Sequence, residues 1–295
     1  VTIAEGQAGA GRELATAEWQ AGGRELATDR RRERRRTTVR VPAKATTEEA
    51  GGRPPGRLFV VATPIGNLAD VTLRALEILG SVPLIAAEDT RVTRRLLLRH
   101  GIVGPGRRGP RLVSYHARNA ARRAPELLAE LRRGADVALV TDAGTPAISD
   151  PGGGLVTAWA AEGGAVVPIP GPSAVTAALA AAGIAGPRWV FEGFLPRRGG
   201  PRRRRLRELA GFEGGAVVFE AGPRIGQTLA DLAAVLGSDR SVALCRELTK
   251  VHEEILRGTL GDLARQAAEG ALETRGEWVI VVGPPVGGGG EGPDP

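Results

Sequence analysis

Residues 136–152 read DVALVTDAGTPAISDPG. The opening DVALV is an apolar run of strand length. The rest of the stretch is crowded with turn formers, Gly144, Pro146, Pro151 and Gly152, behind the carboxylate of Asp142. Regular patterning resumes near Gly154, where a helix is predicted as far as Glu162. A strand, a polar loop and a helix in that order belong to a parallel sheet, and such sheets bind ligands in the loops at the carboxyl ends of their strands. One such loop alone is more often a plain turn, so the neighbouring segments decide.

Upstream, RLFVVA from Arg57 reads as a buried strand and TPIGN as a turn, with Asp70 predicted as the N-cap of a helix VTLRALEILG that ends at Gly80. A strand PLIAAE, a helix over Thr90 to His100, a strand RLVSY and a helix around Ala120 to Arg133 lead to DVALV. Downstream, AVVPIP reads as another strand, and AVTAALAAAG begins a helix after a proline-rich turn. This alternation predicts an α/β fold with a mostly parallel sheet covered on both faces.

A domain boundary is expected around Pro168 to Pro172, giving domains over 57–168 and 169–284. The second runs WVFEGF, an arginine loop, a helix, GAVVFE, a helix over Ile225 to Leu236, SVALCRE, EEILRG, a helix near Leu260 to Glu269, and EWVIVVG. Residues 1–56 repeat GRELAT at 11–16 and 23–28 and continue into RRRERRR and GGRPPG. With few apolar residues on any consistent face, they read as a disordered basic extension, or alternatively as an RNA-tethering arm. Residues 285–295 read as a disordered tail.

The chain has 295 residues and carries a net charge of +7. No apolar run approaches the roughly 20 residues that span a bilayer, so the expectation is a soluble, cytoplasmic protein without a membrane partner. The single cysteine, Cys245, excludes an internal disulfide, and His100, His116 and His252 share no ligand spacing, which points to metal-free catalysis. Of 40 basic residues only Lys44 and Lys250 are lysines. Lys250 is the more informative cation, because an ammonium can lose its proton when desolvated and a guanidinium effectively cannot.

Three Gly/Pro loops, Thr63 to Asn67, Asp142 to Gly152 and Pro170 to Ser173, fall at strand ends on one predicted edge, which makes a cleft the better reading. None matches GxGxxG or GxxxxGK[ST], so neither a dinucleotide nor a triphosphate cradle is supported. A rim of main-chain groups with Asp142 and Thr145 suits a nucleoside-like ligand.

Six motifs occur in order: VATPIGNLADVTLRAL, AAEDTR, VTDAGTPAISDPG, PIPGPSA, FEGFLPR and RELTK. Over about residues 57–284 they closely resemble the family of ribosomal RNA small subunit methyltransferase I, of the tetrapyrrole-methylase superfamily. The resemblance implies two α/β domains of the tetrapyrrole-methylase type with the cofactor cleft between them. It also implies methyl transfer from S-adenosylmethionine to the 2'-hydroxyl of a cytidine in the small-subunit rRNA decoding region, with that rRNA as partner, and a homodimer. By the same resemblance Gly144, Thr145 and Ile148 touch the cofactor, with Asp142 beside them and Pro64 from the first loop. Ser173, Ala174 and Ala221 complete the pocket, closed near Trp278.

The chain departs from the family where many members read HDHN or HEHN, keeping only His116 and Asn119 in Tyr115-His-Ala-Arg-Asn119. Where many read YESPHR, Phe219-Glu-Ala-Gly-Pro-Arg224 keeps Glu220 and Arg224, which are placed on the substrate side.

A ribose hydroxyl must lose its proton during or after attack, and Lys250 is the first candidate to assist, by lowering the hydroxyl's pKa or by taking the proton. The plainer reading of Lys250 is an ion pair with Glu247, Glu253 or Glu254. Glu88, Asp89 and Arg91 could line the substrate side, a carboxylate acting as base or holding a ribose; equally, Asp89 could cap the next helix while Glu88 offsets its dipole. Asn67 could bond substrate or its own turn. The segment 196–207, PRRGGPRRRRLR, holds seven arginines and no acid, so Arg197, Arg198, Arg202 and Arg203 are candidates for RNA phosphate contacts. With Tyr115 the only tyrosine, base stacking is a minor expectation. A corrin or porphyrin methylase and a non-catalytic RNA-binding module are the alternatives.

Overall fold

The computed structural model describes residues 54–285. Except at their inner ends, the extension expected over 1–56 and the tail expected over 285–295 lie outside the described residues. Strands β1 (Leu58–Val61), β2 (Leu84–Ala87), β3 (Arg111–Ser114), β4 (Val137–Val140) and β5 (Val166–Ile169) form one sheet in the order β3-β2-β4-β1-β5. Every pairing in it is parallel.

Helices α1 (Leu73–Ser81), α2 (Thr90–Arg99), α3 (Ala120–Arg132) and α4 (Gly153–Ala161) connect these strands. Leu127 and Leu131 of α3 and Leu155 and Trp159 of α4 pack on Leu58, Leu84, Val137 and Leu139. Each such side chain, taken fully out of water, contributes about 1.5–3 kcal/mol.

Helix α1 starts later than the sequence predicts. Thr72, and not Asp70, is its cap, accepting from the Ala75 N–H at 3.1 Å. Asp70 is held in the preceding turn, where its N–H donates to the Asn67 carbonyl at 2.9 Å. Both residue types cap well, and the turn at 67–70 decides between them.

The second sheet comprises β6 (Trp189–Phe194), β7 (Gly215–Ala221), β8 (Ser241–Arg246), β9 (Glu254–Thr259) and β10 (Glu277–Val282), ordered β6-β7-β10-β8-β9. Only β6 and β7 pair in parallel; the remaining pairings are antiparallel. Helices α6 (Gly199–Ala210), α7 (Ile225–Leu236) and α8 (Leu260–Ala268) cover one face through Leu206, Leu209, Leu229, Leu232 and Leu263. The other face receives α5 (Ala174–Ala182), whose Ala178 and Ala182 lie against Val217, Ala243, Val279 and Val281. Buried on both faces, β7 and β10 read as apolar runs over residues 216–219 and 278–282.

The expected arginine loop is shorter than its composition suggests. Pro201 sits in the first turn of α6, a position where its missing N–H costs nothing, so Arg202 to Arg207 are helical. Arg202, Leu206 and Leu209 share the buried face at helical spacing.

Candidate active site

Strands β4, β1 and β5 are neighbours, so the three loops that follow them lie side by side at one sheet edge. Thr63 and Gly144 pair as an isolated bridge, and the Thr63 hydroxyl donates to the Thr141 carbonyl at 3.0 Å. The Thr145 hydroxyl reaches the Pro172 carbonyl at 3.4 Å, which ties in the third loop. Gly144 adopts a φ of 77°, a conformation open to glycine at little cost. Among the described residues, the non-glycine positions of positive φ are Ala147, Ser149, Glu247 and Thr249. They fall in just two segments, the loop after β4 and the RELTK turn after β8. Strain of this kind gathers where a site is being shaped.

The loop after β4 lines a cleft, and the RELTK turn stands next to it through Glu277, a lining residue that Lys250 Nζ reaches at 2.8 Å. Ile65, Gly144, Thr145, Ile148, Asp150, Ser173 and Ala174 line it from the first sheet's loops, and Phe194, Phe219, Glu220, Glu277, Trp278 and Val279 from the second sheet. Glu220 and Trp278 face it together because they are register partners on β7 and β10. Gly66 permits a close approach between the halves. A Cβ there would stand 2.5 Å from Lys250 Cγ and 2.8 Å from the Leu248 carbonyl. Beside it, the Asn67 N–H donates to Thr249 Oγ1 at 3.1 Å.

Three ionisable groups define the electrostatics. Burial, and then the charges of Glu88 and Asp142, push Asp150 up to about 6. Hydrogen bonds from Arg91 hold Asp89 down at about 2. Burial pulls the Lys250 ammonium down, but hydrogen bonds to Glu277 and Glu247, at 2.8 and 2.9 Å, more than offset it and leave its pKa raised. Lys250 is therefore a fixed cation at the rim, which Glu277 shares with the cleft. The Trp278 indole N–H, almost fully buried, has no acceptor among the described residues.

Residues 57–264 match the family model of the tetrapyrrole (corrin/porphyrin) methylases. Over 228 residues the chain is 47% identical to ribosomal RNA small subunit methyltransferase I of Xylella fastidiosa, covering 77% of this chain and 81% of that protein. The chain belongs to the ribosomal RNA small subunit methyltransferase I family. Among solved structures it is similar to cobalt precorrin-4 methyltransferase, a cobalamin biosynthetic enzyme, with a TM-score of 0.59 at 20% identity over 77% of this chain and 94% of that one. It is also similar to uroporphyrin-III C-methyltransferase from Thermus thermophilus complexed with S-adenosylhomocysteine, with a TM-score of 0.55 at 22% identity over 77% and 97%. At those identities the likeness shows the fold of two α/β domains.

The methyl donor of this methyltransferase family is S-adenosylmethionine, and the cleft suits it. An unpartnered indole N–H, a partly buried carboxylate and a main-chain rim match a ligand carrying acceptors, a positive sulfonium and a ribose.

Of the positions expected around the cofactor, Gly144, Thr145, Ile148, Ser173, Ala174 and Trp278 line this cleft. Three do not. Asp142 turns toward β2, where its carboxylate accepts from the Asp89 N–H at 3.0 Å while its own N–H donates to Glu88 at 3.2 Å. Pro64 is buried beneath the rim, leaving its neighbour Ile65 at the surface of the cleft. Ala221 alternates away from Glu220 along β7, and its N–H donates to the Glu220 carboxylate at 2.9 Å.

Several expected substrate contacts have internal partners. Asn67 Oδ1 accepts from the Ala69 N–H, the own-turn alternative, and Asp89 caps α2 and pairs with Arg91 at 2.6 Å. Glu220 is buried and receives Thr228 Oγ1 at 2.6 Å and Arg224 at 3.1 Å, while Arg224 also donates to the Leu195 carbonyl. Arg202 is 6% exposed, held by Asp231 at 2.7 Å and by Thr228 and the Pro196 carbonyl, each at 3.0 Å. It is thereby withdrawn from RNA contact. Arg197, Arg198 and Arg203 are exposed, and among the described residues they form no ion pair.

Asp150 is a group that the sequence motifs do not single out. It stands in the same polar loop as Asp142, but only the folded chain reveals its burial beside Glu88 and Asp142.

Proposed function

We propose that this chain catalyses S-adenosylmethionine-dependent 2'-O-methylation of a cytidine ribose in the decoding region of small-subunit (16S) rRNA. One observation carries the reading: a cleft rimmed by the loops after β4 and β5 and floored by Trp278, in a chain 47% identical to a ribosomal RNA small subunit methyltransferase I. The domain division at 168/169, a cytoplasmic location and a homodimer belong to the same reading.

Bound in the cleft, S-adenosylmethionine supplies a methyl carbon activated by a positive sulfonium. Gly144, Thr145, Ser173 and Ala174 hold it through a braced rim, so that positioning provides much of the rate. Asp150, with its pKa at about 6, is mostly ionised at neutral pH and would supply a negative charge in the cleft to a bound sulfonium. Trp278 offers a fixed donor. Lys250 keeps its proton between Glu247 and Glu277, so its part is to stabilise negative charge on the ribose oxygen and not to accept the hydroxyl's proton. Asp89, held at about 2, is too weak a base for that task, so the hydroxyl's proton passes to solvent water as the oxygen–methyl bond forms, the sulfur–methyl bond breaks and the neutral thioether leaves. Arg197, Arg198 and Arg203 supply phosphate contacts outside the cleft.

The test is to incubate the protein with labelled methyl donor and small ribosomal subunits lacking the modification, beside a tetrapyrrole control. Label on a cytidine 2'-oxygen is expected. Label on the tetrapyrrole, or none on either, overturns the proposal.

A further inference from the structure

Phe194 is the aromatic residue among the exposed large apolar side chains, 56% accessible, in a described region with few aromatics. Backbone geometry puts it there. Phe191 and Phe194 are three residues apart on β6 and in a regular strand would face opposite sides. Between Phe191 and Gly193 the pairing with β7 slips by one, and Gly193 takes a φ of 63°. A Cβ on Gly193 would come within 2.8 Å of Ser149 Oγ, in the loop after β4. This bulge re-aims the strand, as bulges do beside active sites, and brings both rings onto one face.

There Phe191 and Phe194 each meet Phe219 edge-on, with centroids 4.9 and 5.7 Å apart at 64° and 67°. The outermost ring of the three is the bare one. It borders the cleft with Ile148, itself 48% exposed, Asp150 and Trp278. Arg197 and Arg198 lie within four residues of it along the chain, and both are exposed. A solvated ring at the mouth of a polar cleft, followed three and four residues on by exposed arginines without an ion pair among the described residues, carries the two features that hold single-stranded RNA, a ring for the base and a cation for the phosphate.

We infer that Phe194 is the platform on which a nucleobase of the substrate RNA stacks while its ribose enters the cleft, an inference that rests on the rRNA methyltransferase reading above. The rival occupant is the adenine of the methyl donor, and the two separate experimentally. Steady-state methylation of unmodified small subunits is measured for wild type, Phe194→Leu and Phe194→Trp, together with S-adenosylhomocysteine affinity by calorimetry. Phe194→Leu should raise KM for the subunit by roughly 5- to 150-fold, with kcat and cofactor affinity little changed, and Phe194→Trp should restore KM.

An unchanged KM in Phe194→Leu, a matching loss of cofactor affinity, or a Phe194→Trp as impaired as the leucine variant overturns the inference while leaving the methyltransferase reading intact. A wild-type protein that labels no rRNA overturns both.

Discussion

Thr63 and Gly144, 81 residues apart in sequence, exchange both of their backbone hydrogen bonds, at 2.9 and 3.0 Å. The pair fastens the loop after β1 to the loop after β4 and joins them into one rim. Gly144 is well suited to it, because a Cβ would meet only ordinary contacts, the nearest at 3.5 Å from Ile65, while its φ of 77° disfavours any other residue. Gly144→Ala should therefore lower stability by about 1–2 kcal/mol, read as a shift in urea midpoint, and weaken binding of S-adenosylhomocysteine. Unchanged affinity would detach this loop from the site.

Asp150 gives a pH-dependent signature. Its folded pKa of about 6 stands above the ordinary 3.8, so folding favours its protonated form. That contribution is fully present below 3.8 and is lost as pH rises through about 6. Asp150→Asn should raise the melting temperature of the cofactor-free protein at pH 7.5, and the gain should shrink as the pH is lowered toward 5. The same change should weaken S-adenosylmethionine binding by roughly 10- to 100-fold through the lost charge. Wild-type affinity should fall below about pH 6, and affinity flat in pH would remove the carboxylate from the site.

Lys250→Ala should reduce kcat by at least about tenfold while cofactor affinity stays near wild type, since the change leaves Glu247 and Glu277 facing each other without their cation. Because its pKa is raised, Lys250 should add no ionisation near neutrality to the wild-type pH–rate profile. A basic limb near pH 8 that vanishes in the alanine variant would instead make it the proton acceptor.

The arginines of α6 divide by burial. Arg202→Ala removes one partner of a largely buried ion pair and should cost roughly 2–4 kcal/mol of stability, tempered because Asp231 is about a quarter exposed, with little change in the salt dependence of RNA binding. Arg203→Ala should leave stability alone and reduce the slope of log affinity against log salt by about 0.7–0.9. Filter binding over a salt series with urea melts distinguishes the two, and identical salt slopes for both would refute the division.

Much of this was legible because apolar runs and Gly/Pro loops are set by local rules. The strand ahead of Asp142 and the helix after Gly152 fall where the apolar runs between the turn residues put them, and β4, β1 and β5 carry their loops to a common edge. Long-range partners were not legible. Nothing local to Arg202 shows that Asp231 waits for it, and nothing local to Asp142 shows that β2 takes up its carboxylate. The same holds for Phe194, whose exposure depends on a one-residue slip against a strand more than twenty positions on. Composition made the region around Arg202 look like a loop because charge hides a helix whose buried face needs only Leu206 and Leu209.

The most direct measurement is a crystal structure with S-adenosylhomocysteine. The ligand should lie between the 144–150 loop and β10, with a polar atom within hydrogen-bonding distance of Trp278 Nε1 and its homocysteine sulfur near Asp150. Ligand bound elsewhere, or a cleft that stays closed while the protein still methylates rRNA, would contradict the assignment.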